Sequence, residues 1–230
     1  MAASSFKPQP GTLSLVDQLL TMARTVQQTA YSAMDCLAEF DESALDSIFH
    51  NESRINSLEM FVDERVMRML SGRKLDKPEI RMILATLRIN RELERIGDLS
   101  VNIAERLRAM QGGGQTAIPS DIIAMTKPVR QMLAKSILSL QIRNFTMAND
   151  VLSKEHTVDE YRDHLYGLLI QKMTDCKDNV RQNINLLLIS RHLERIADHS
   201  TNIAEGVIYW LRGVDVRHGN TITALRKRKA

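Results

Sequence analysis

Carboxylates recur in this sequence at spacings suited to holding a hard cation. Glu94, Asp98, Asn102 and Glu105 follow one another at steps of four, four and three, and Glu194, Asp198, Asn202 and Glu205 repeat the series 100 residues later. At about 100° per helical residue, each set falls within about 80° on one helix face. That face lies nearly opposite Leu93, Ile96 and Ile103, so the acids are expected to point away from the core of their own bundle. A second set precedes each stripe: Glu52, Asn56, Glu59 and Asp63 before the first, and Glu155, Asp159, Arg162 and Tyr166 at the aligned positions before the second. If the two helices of each half are neighbours, their oxygens converge. An all-oxygen donor set suits Mg²⁺, Mn²⁺ or iron, with Zn²⁺ a further candidate. The first half carries the fuller set, so if one site fills, the first is expected to.

The plain alternative is a solvated face laced with ion pairs, because Arg91 and Arg95 flank Glu94. Against it stands the near identity of the stripe in both halves, including Asn102 and Asn202. Other chemistry is sparse. There is no GxxxxGK phosphate loop and no ExxH pair of the ferritin-like di-iron kind. His192 and His199 lie about 100° away from the acids and correspond to Glu92 and Leu99 in the first half, so they are expected to be titrating surface histidines. Cys36 and Cys176 have no neighbouring base, and no nucleophile stands out.

The stripes sit in a duplication. Residues 91–105 (RELERIGDLSVNIAE) and 191–205 (RHLERIADHSTNIAE) agree at eleven of fifteen positions. Such agreement at a fixed offset marks an internal repeat. Each copy is long enough for three helices, so the expected fold is all-α: two tandem three-helix bundles related by internal duplication. The first bundle is expected over residues 12–111, a linker over 112–119, the second bundle over 120–212, and a tail over 213–230.

Steps of three and four place Val16, Leu19, Ala23, Val26, Ala30, Ala33, Leu37 and Phe40 on one seam of a first helix. Ile48, Ile55, Leu58, Val62, Val66 and Met69 do the same for a second helix, which Ser71–Gly72 ends. Asp76 before Lys77–Pro78 starts the third, whose seam runs from Met82 to Met110. The glycines at 112–114 break the chain, and Pro119-Ser120-Asp121 opens the fourth helix. Val158, Tyr161, Leu165 and Leu168 are expected inside the fifth, at an offset of 103 from the second, and Leu186 through Trp210 inside the sixth. Ile80, Ile83, Leu84 and Leu87 form an additional apolar face, mirrored by Val180, Ile184 and Leu187. It is open to the other bundle, a second subunit or a partner protein.

Composition agrees with helix packing: aromatics are only 4% of 230 residues, and Leu, Ile, Met and Ala dominate. The net charge of +3 is concentrated in residues 213–230, which carry +4 and leave −1 for the other 212. A basic body, as for nucleic-acid binding, is absent. No apolar run approaches the ~20 residues of a bilayer span, the first residues lack a signal-peptide layout, and the cysteines form no CxxC pair. A cytoplasmic location without membrane insertion is the expectation.

Two LERIGD/LERIAD stretches, each closing a three-helix unit, resemble the PhoU family of phosphate-signalling regulators over roughly residues 12–218. The paired E-x-x-x-D motifs, Glu94/Asp98 and Glu194/Asp198, carry the resemblance. It implies that the two bundles are related by a pseudo-two-fold axis. It implies a non-enzymatic, homodimeric cytoplasmic accessory protein that links the ATPase of a high-affinity phosphate ABC transporter to a sensor histidine kinase and restrains the phosphate-starvation response. It also implies metal, iron among the candidates, on the acidic stripes. A metal-dependent enzyme or metal store using the same carboxylates is the alternative.

Overall fold

The computed structural model describes residues 10–72, 74–111, 117–175 and 179–216. The glycines at 112–114, Cys176 and the basic residues from Arg217 onward lie outside the described residues. Seven helices make up the described chain: α1 (Pro10–Ala38), α2 (Glu42–Gly72), α3 (Lys77–Gln111), α4 (Ser120–Gln141), α5 (Phe145–Leu152), α6 (Glu155–Asp175) and α7 (Val180–Arg212). There is no strand among them.

Local chemistry sets the helix starts. The Asp41 carboxylate accepts from the backbone N–H groups of Ser43 (2.9 Å) and Ala44 (3.3 Å) at the head of α2. At the head of α3, Asp76 and Glu79 form a reciprocal box: Glu79 N–H donates to Asp76 Oδ1 (2.8 Å), and Asp76 N–H donates to Glu79 Oε2 (3.1 Å). The apolar seams then fix which faces turn inward. Val16, Leu19, Ala23, Val26, Ala30, Ala33 and Leu37 are buried on α1, while Phe40 falls beyond the helix and is exposed. The whole expected seams of α3 and α7 are buried. On α2, Leu58 and Met69 are only partly covered, as are Tyr161 and Leu168 on α6, where Leu169 is buried instead.

Six helices were expected and the second half has four. Shifted by 103 residues, Glu42–Gly72 becomes 145–175, the joint span of α5 and α6. One long helix in the first half is therefore two in the second. The break falls at Ser153, whose Oγ donates to the Asp150 carbonyl (2.8 Å) while Lys154 N–H turns back to the Val151 carbonyl (3.0 Å). A serine that competes for a helix carbonyl favours such a stop. α5 is held by its own cap, Asn144 Oδ1 accepting from Met147 N–H (2.9 Å). Asn144→Ala should therefore cost about 1 kcal/mol, read as a lower midpoint in urea; an unchanged midpoint would place the stability of α5 in its packing alone.

Each half packs its own helices together, α1 with α2 and α3, and α4 with α5, α6 and α7. The most extensive helix–helix contact joins the halves, between α3 and α7, and α1 also meets α4. Gln182 reaches the Met110 carbonyl (3.3 Å), His199 meets Glu92 (2.7 Å), and Arg88 stacks on Tyr209 (4.5 Å), so α3 and α7 run antiparallel. Their closest approach needs Gly206, where an added Cβ would lie 2.8 Å from Ile89 Cγ1. The two motif helices thus form the spine of the molecule, and one hydrophobic core runs through both halves.

Two expectations are corrected by this arrangement. α3 buries Gly97, Leu99, Val101 and Ala104 in addition to its seam, which narrows the acidic strip so that Glu94, Asp98 and Asn102 are half-buried and only Glu105 stays exposed. Ile83 is also buried and Leu87 packs on the core, which reduces the extra apolar face to Ile80 and Leu84.

Candidate metal centre

In the first half, α2 and α3 flank a cavity of about 420 Å³ lined by Glu59, Asp63, Asn90, Glu94, Arg91 and Arg95. The Glu94 side chain is 17% exposed. Burial, the neighbouring Asp98 charge and Glu59 push its carboxyl up to about 7, against the pull of Arg95. Glu59 is raised by burial and then by Asp63 and Asp98. Arg95 supplies partial compensation, with Nε 3.5 Å from Glu94 and Nη1 3.7 Å from Asp98. Asp63 accepts from Asn90 Nδ2 (3.0 Å). The structure thus brings together Glu59, Asp63, Glu94 and Asp98. Glu52 is half-buried two turns before Glu59, Asn102 is half-buried, and Glu105 is exposed.

The second half assembles Glu155 and Asp159 from α6 with Glu194 and Asp198 from α7. Burial, Glu194, Glu155 and Asp159 push Asp198 up to about 6, and burial followed by Asp159 raises Glu155. Here, however, a side chain of opposite charge enters the group. Arg162 Nη1 lies 2.7 Å from Glu194 and 2.9 Å from Asp159. Asn202 is drawn away from the stripe, its Nδ2 donating to Glu92 across the repeat junction (2.9 Å). Glu205 is half-buried.

The residues of the first half fit a hard cation. Their donors are all oxygen, their mutual repulsion is incompletely relieved, and the buried Asn90 Oδ1 has no hydrogen-bond donor. Among the described residues, no three His, Cys, Asp or Glu side chains are already gathered as a ligand set. A cation there would have to draw the Glu59, Asp63, Glu94 and Asp98 carboxylates inward.

The histidines differ from expectation. Both are half-buried, so neither stands free at the surface. Burial, together with Arg106, Arg195 and Arg191, lowers His192 to about 4, so it is neutral at physiological pH. His199 is bonded to Glu92 at the α3–α7 junction. Burial alone would raise Glu92, but the hydrogen bonds from His199 and Asn202 outweigh it and hold the carboxyl below its ordinary value. The signal for this contact was present in the sequence: positions 92 and 199 are two places where the repeats disagree, and they become neighbours once α3 and α7 run antiparallel.

Fold and stripes together define a class: an all-helical tandem duplication joined through its two motif helices, with an acidic strip on each. The model of the PhoU domain matches residues 19–107 and again 122–207, and the chain belongs to the PhoU family. It is 31% identical over 199 residues to a phosphate-specific transport system accessory protein PhoU homolog of Xylella fastidiosa, covering 86% of this chain and 82% of that one. A protein of the same description from Clostridium acetobutylicum is 28% identical over 203 residues, covering 88% and 93%. The crystal structure of PhoU from Pseudomonas aeruginosa superposes with a TM-score of 0.85 at 25% identity, covering 89% of this chain and 98% of that one.

Proposed function

We propose that this protein is a non-enzymatic cytoplasmic regulator of phosphate uptake. In this reading it binds the ATPase of a phosphate ABC transporter, links it to a sensor histidine kinase, restrains the phosphate-starvation response, acts as a homodimer, and carries metal on its acidic stripes. One observation carries the reading beyond family membership: both halves leave large apolar side chains uncovered at matching positions, Leu84 at 42% and Ile184 at 46% exposure. A duplicated pair of such positions suits a protein that works by contact with others. No described helix is long and apolar enough to cross a membrane, so association with a transporter would run through its soluble ATPase.

The test is co-purification of the transporter ATPase and the kinase with the tagged protein, alongside phosphate-responsive expression in a deletion strain. Expression that still follows phosphate normally in the deletion strain would sink the reading. A second reading has one observation in its favour: a Glu94 carboxyl near pH 7 is poised for general acid–base work. On that reading the stripes serve a metal-dependent enzyme or a metal store. Turnover of phosphoesters by the Mn²⁺-loaded protein, lost in Glu94→Gln, would favour the enzyme.

A further inference from the structure

The two stripes are duplicates in position but not in charge. Glu59 on α2 and Arg162 on α6 are 103 residues apart, the same offset that lays α2 onto α5 and α6. Where the first half has a carboxylate, the second therefore has a guanidinium. Arg162 Nη1 donates to Glu194 Oε1 and Asp159 Oδ1, and its Nε donates to Asp163 Oδ1 (3.0 Å). It spans α6 and α7 in the place where a bridging cation would have to sit.

We propose that Arg162 is a resident cation that closes the second stripe to metal, so that cation uptake by this chain is confined to the first stripe, where Asn90 adds an oxygen donor. The inference rests on the metal-binding part of the function proposed above. Arg162 keeps its charge at any physiological pH and is tethered beside its carboxylates, so a divalent ion would have to displace a paired, covalently held competitor.

Asn90 is an independent observation pointing the same way. It lines the first cavity and is 1% exposed. Its Nδ2 donates to the Glu59 carbonyl (3.1 Å) and to Asp63 Oδ1 (3.0 Å). Both partners are acceptors, which fixes the amide: rotating it would set oxygen against two oxygens. Its Oδ1 is then a buried acceptor with no donor, a state that a bound cation or the cation's water would relieve. The equivalent residue of the second half, Ser190, is already satisfied by the Leu187 carbonyl of its own helix (2.8 Å). The unpaired oxygen occurs in the half that lacks the arginine.

The test counts Mn²⁺ bound to the full-length protein after removal of chelator, by elemental analysis and by the electron paramagnetic resonance of free Mn²⁺. Uptake should vanish in Glu94→Gln/Asp98→Asn and be unchanged in Glu194→Gln/Asp198→Asn. Arg162→Gln should raise uptake about two-fold, and adding Glu194→Gln/Asp198→Asn should abolish the gain. Arg162→Lys, which keeps the charge, should leave uptake as in the wild type. Asn90→Ala should weaken binding at the first stripe by about ten-fold. If Arg162→Gln does not fold, as read by circular dichroism, the Glu194→Gln/Asp198→Asn variant still decides. Uptake halved by that variant overturns the closure of the second stripe while leaving metal binding intact; no Mn²⁺ uptake by wild type and Arg162→Gln alike overturns both.

Discussion

Glu94→Gln should raise the melting temperature of the metal-free protein at pH 8 and leave it unchanged at pH 4, while removing any stabilisation by Mn²⁺. The sign follows from linkage. The Glu94 carboxyl has an ordinary value of 4.5 and is pushed up to about 7 in the folded protein. Between those two values the folded state holds a proton that the unfolded chain has released. Stability contributed at this position is therefore intact below pH 4.5, drains away as pH rises through the window, and is gone above pH 7. The full shift corresponds to about 3 kcal/mol. Sharing of the repulsion with Asp98 and Glu59, and solvent at the open side of the cavity, reduce this to about 1–2 kcal/mol.

Glutamine keeps the shape of the side chain and removes the charge. For a chain of this size, about 1–2 kcal/mol is a rise of about 2–8 °C, measured by circular dichroism melts at the two pH values. Excess Mn²⁺ should reverse the order, because a ligand at a hundred times its Kd adds about 2.7 kcal/mol to the wild type alone. A lower melting temperature for the variant at pH 8 would mean that the pairing of Glu94 with Arg95 outweighs the repulsion, and the case for a strained, cation-seeking cluster would fail. Asp198, raised from 3.8 to about 6 by its own burial and neighbours, shifts the stability of the second half in the same direction over a lower window.

The parts of this architecture that were legible in the sequence are those set by local periodicity. The seams of α3 and α7 recur at steps of three and four, and every member from Met82 to Met110 and from Leu186 to Trp210 is buried. The division of α5 from α6 was not legible, because a serine bonding to a carbonyl makes the break and no glycine or proline marks it. The burial of the acids was missed for a different reason. A helical wheel of α3 alone sets the acids opposite the apolar seam and leaves them in water, whereas α2 lies along them and brings Glu59 and Asp63 to the same cavity as Glu94. Gly97, next to Asp98, was the sign that another helix comes close there: an added Cβ would lie 3.0 Å from Ile55 of α2. The Arg162 substitution was visible as a departure from the repeat, but its pairing with Glu194 depends on how α6 lies along α7, which no spacing within one helix reveals.

The double variant Leu84→Glu/Ile184→Glu should abolish capture of the transporter ATPase while leaving the fold and the Mn²⁺ uptake intact. Leu84 and Ile184 are 100 residues apart, the offset of the motif helices, and both are more than two-fifths exposed. Each half has further exposed apolar side chains: Ile80 on α3 and Met67 on α2 in the first, and Ile170 on α6 in the second, 103 residues from Met67. Exposed positions on a helix surface accept glutamate at little cost, within about 0.5 kcal/mol, so helicity and melting should not change. Burial of one such side chain at an interface contributes about 1.5–3 kcal/mol, which predicts weakening of about ten- to a hundred-fold for each single variant. Because the antiparallel spine sets the two positions roughly 35–40 Å apart along its axis, the effects should combine in a partner that spans both ends, and loss in the double variant should exceed either single loss. Leu87→Glu is the contrasting control: Leu87 packs on the core and lines the acidic cavity, so a glutamate there should destabilise the fold and disturb Mn²⁺ uptake together. ATPase capture that survives Leu84→Glu/Ile184→Glu at wild-type strength would exclude these surfaces as the contact and require the partner to bind elsewhere on the helices.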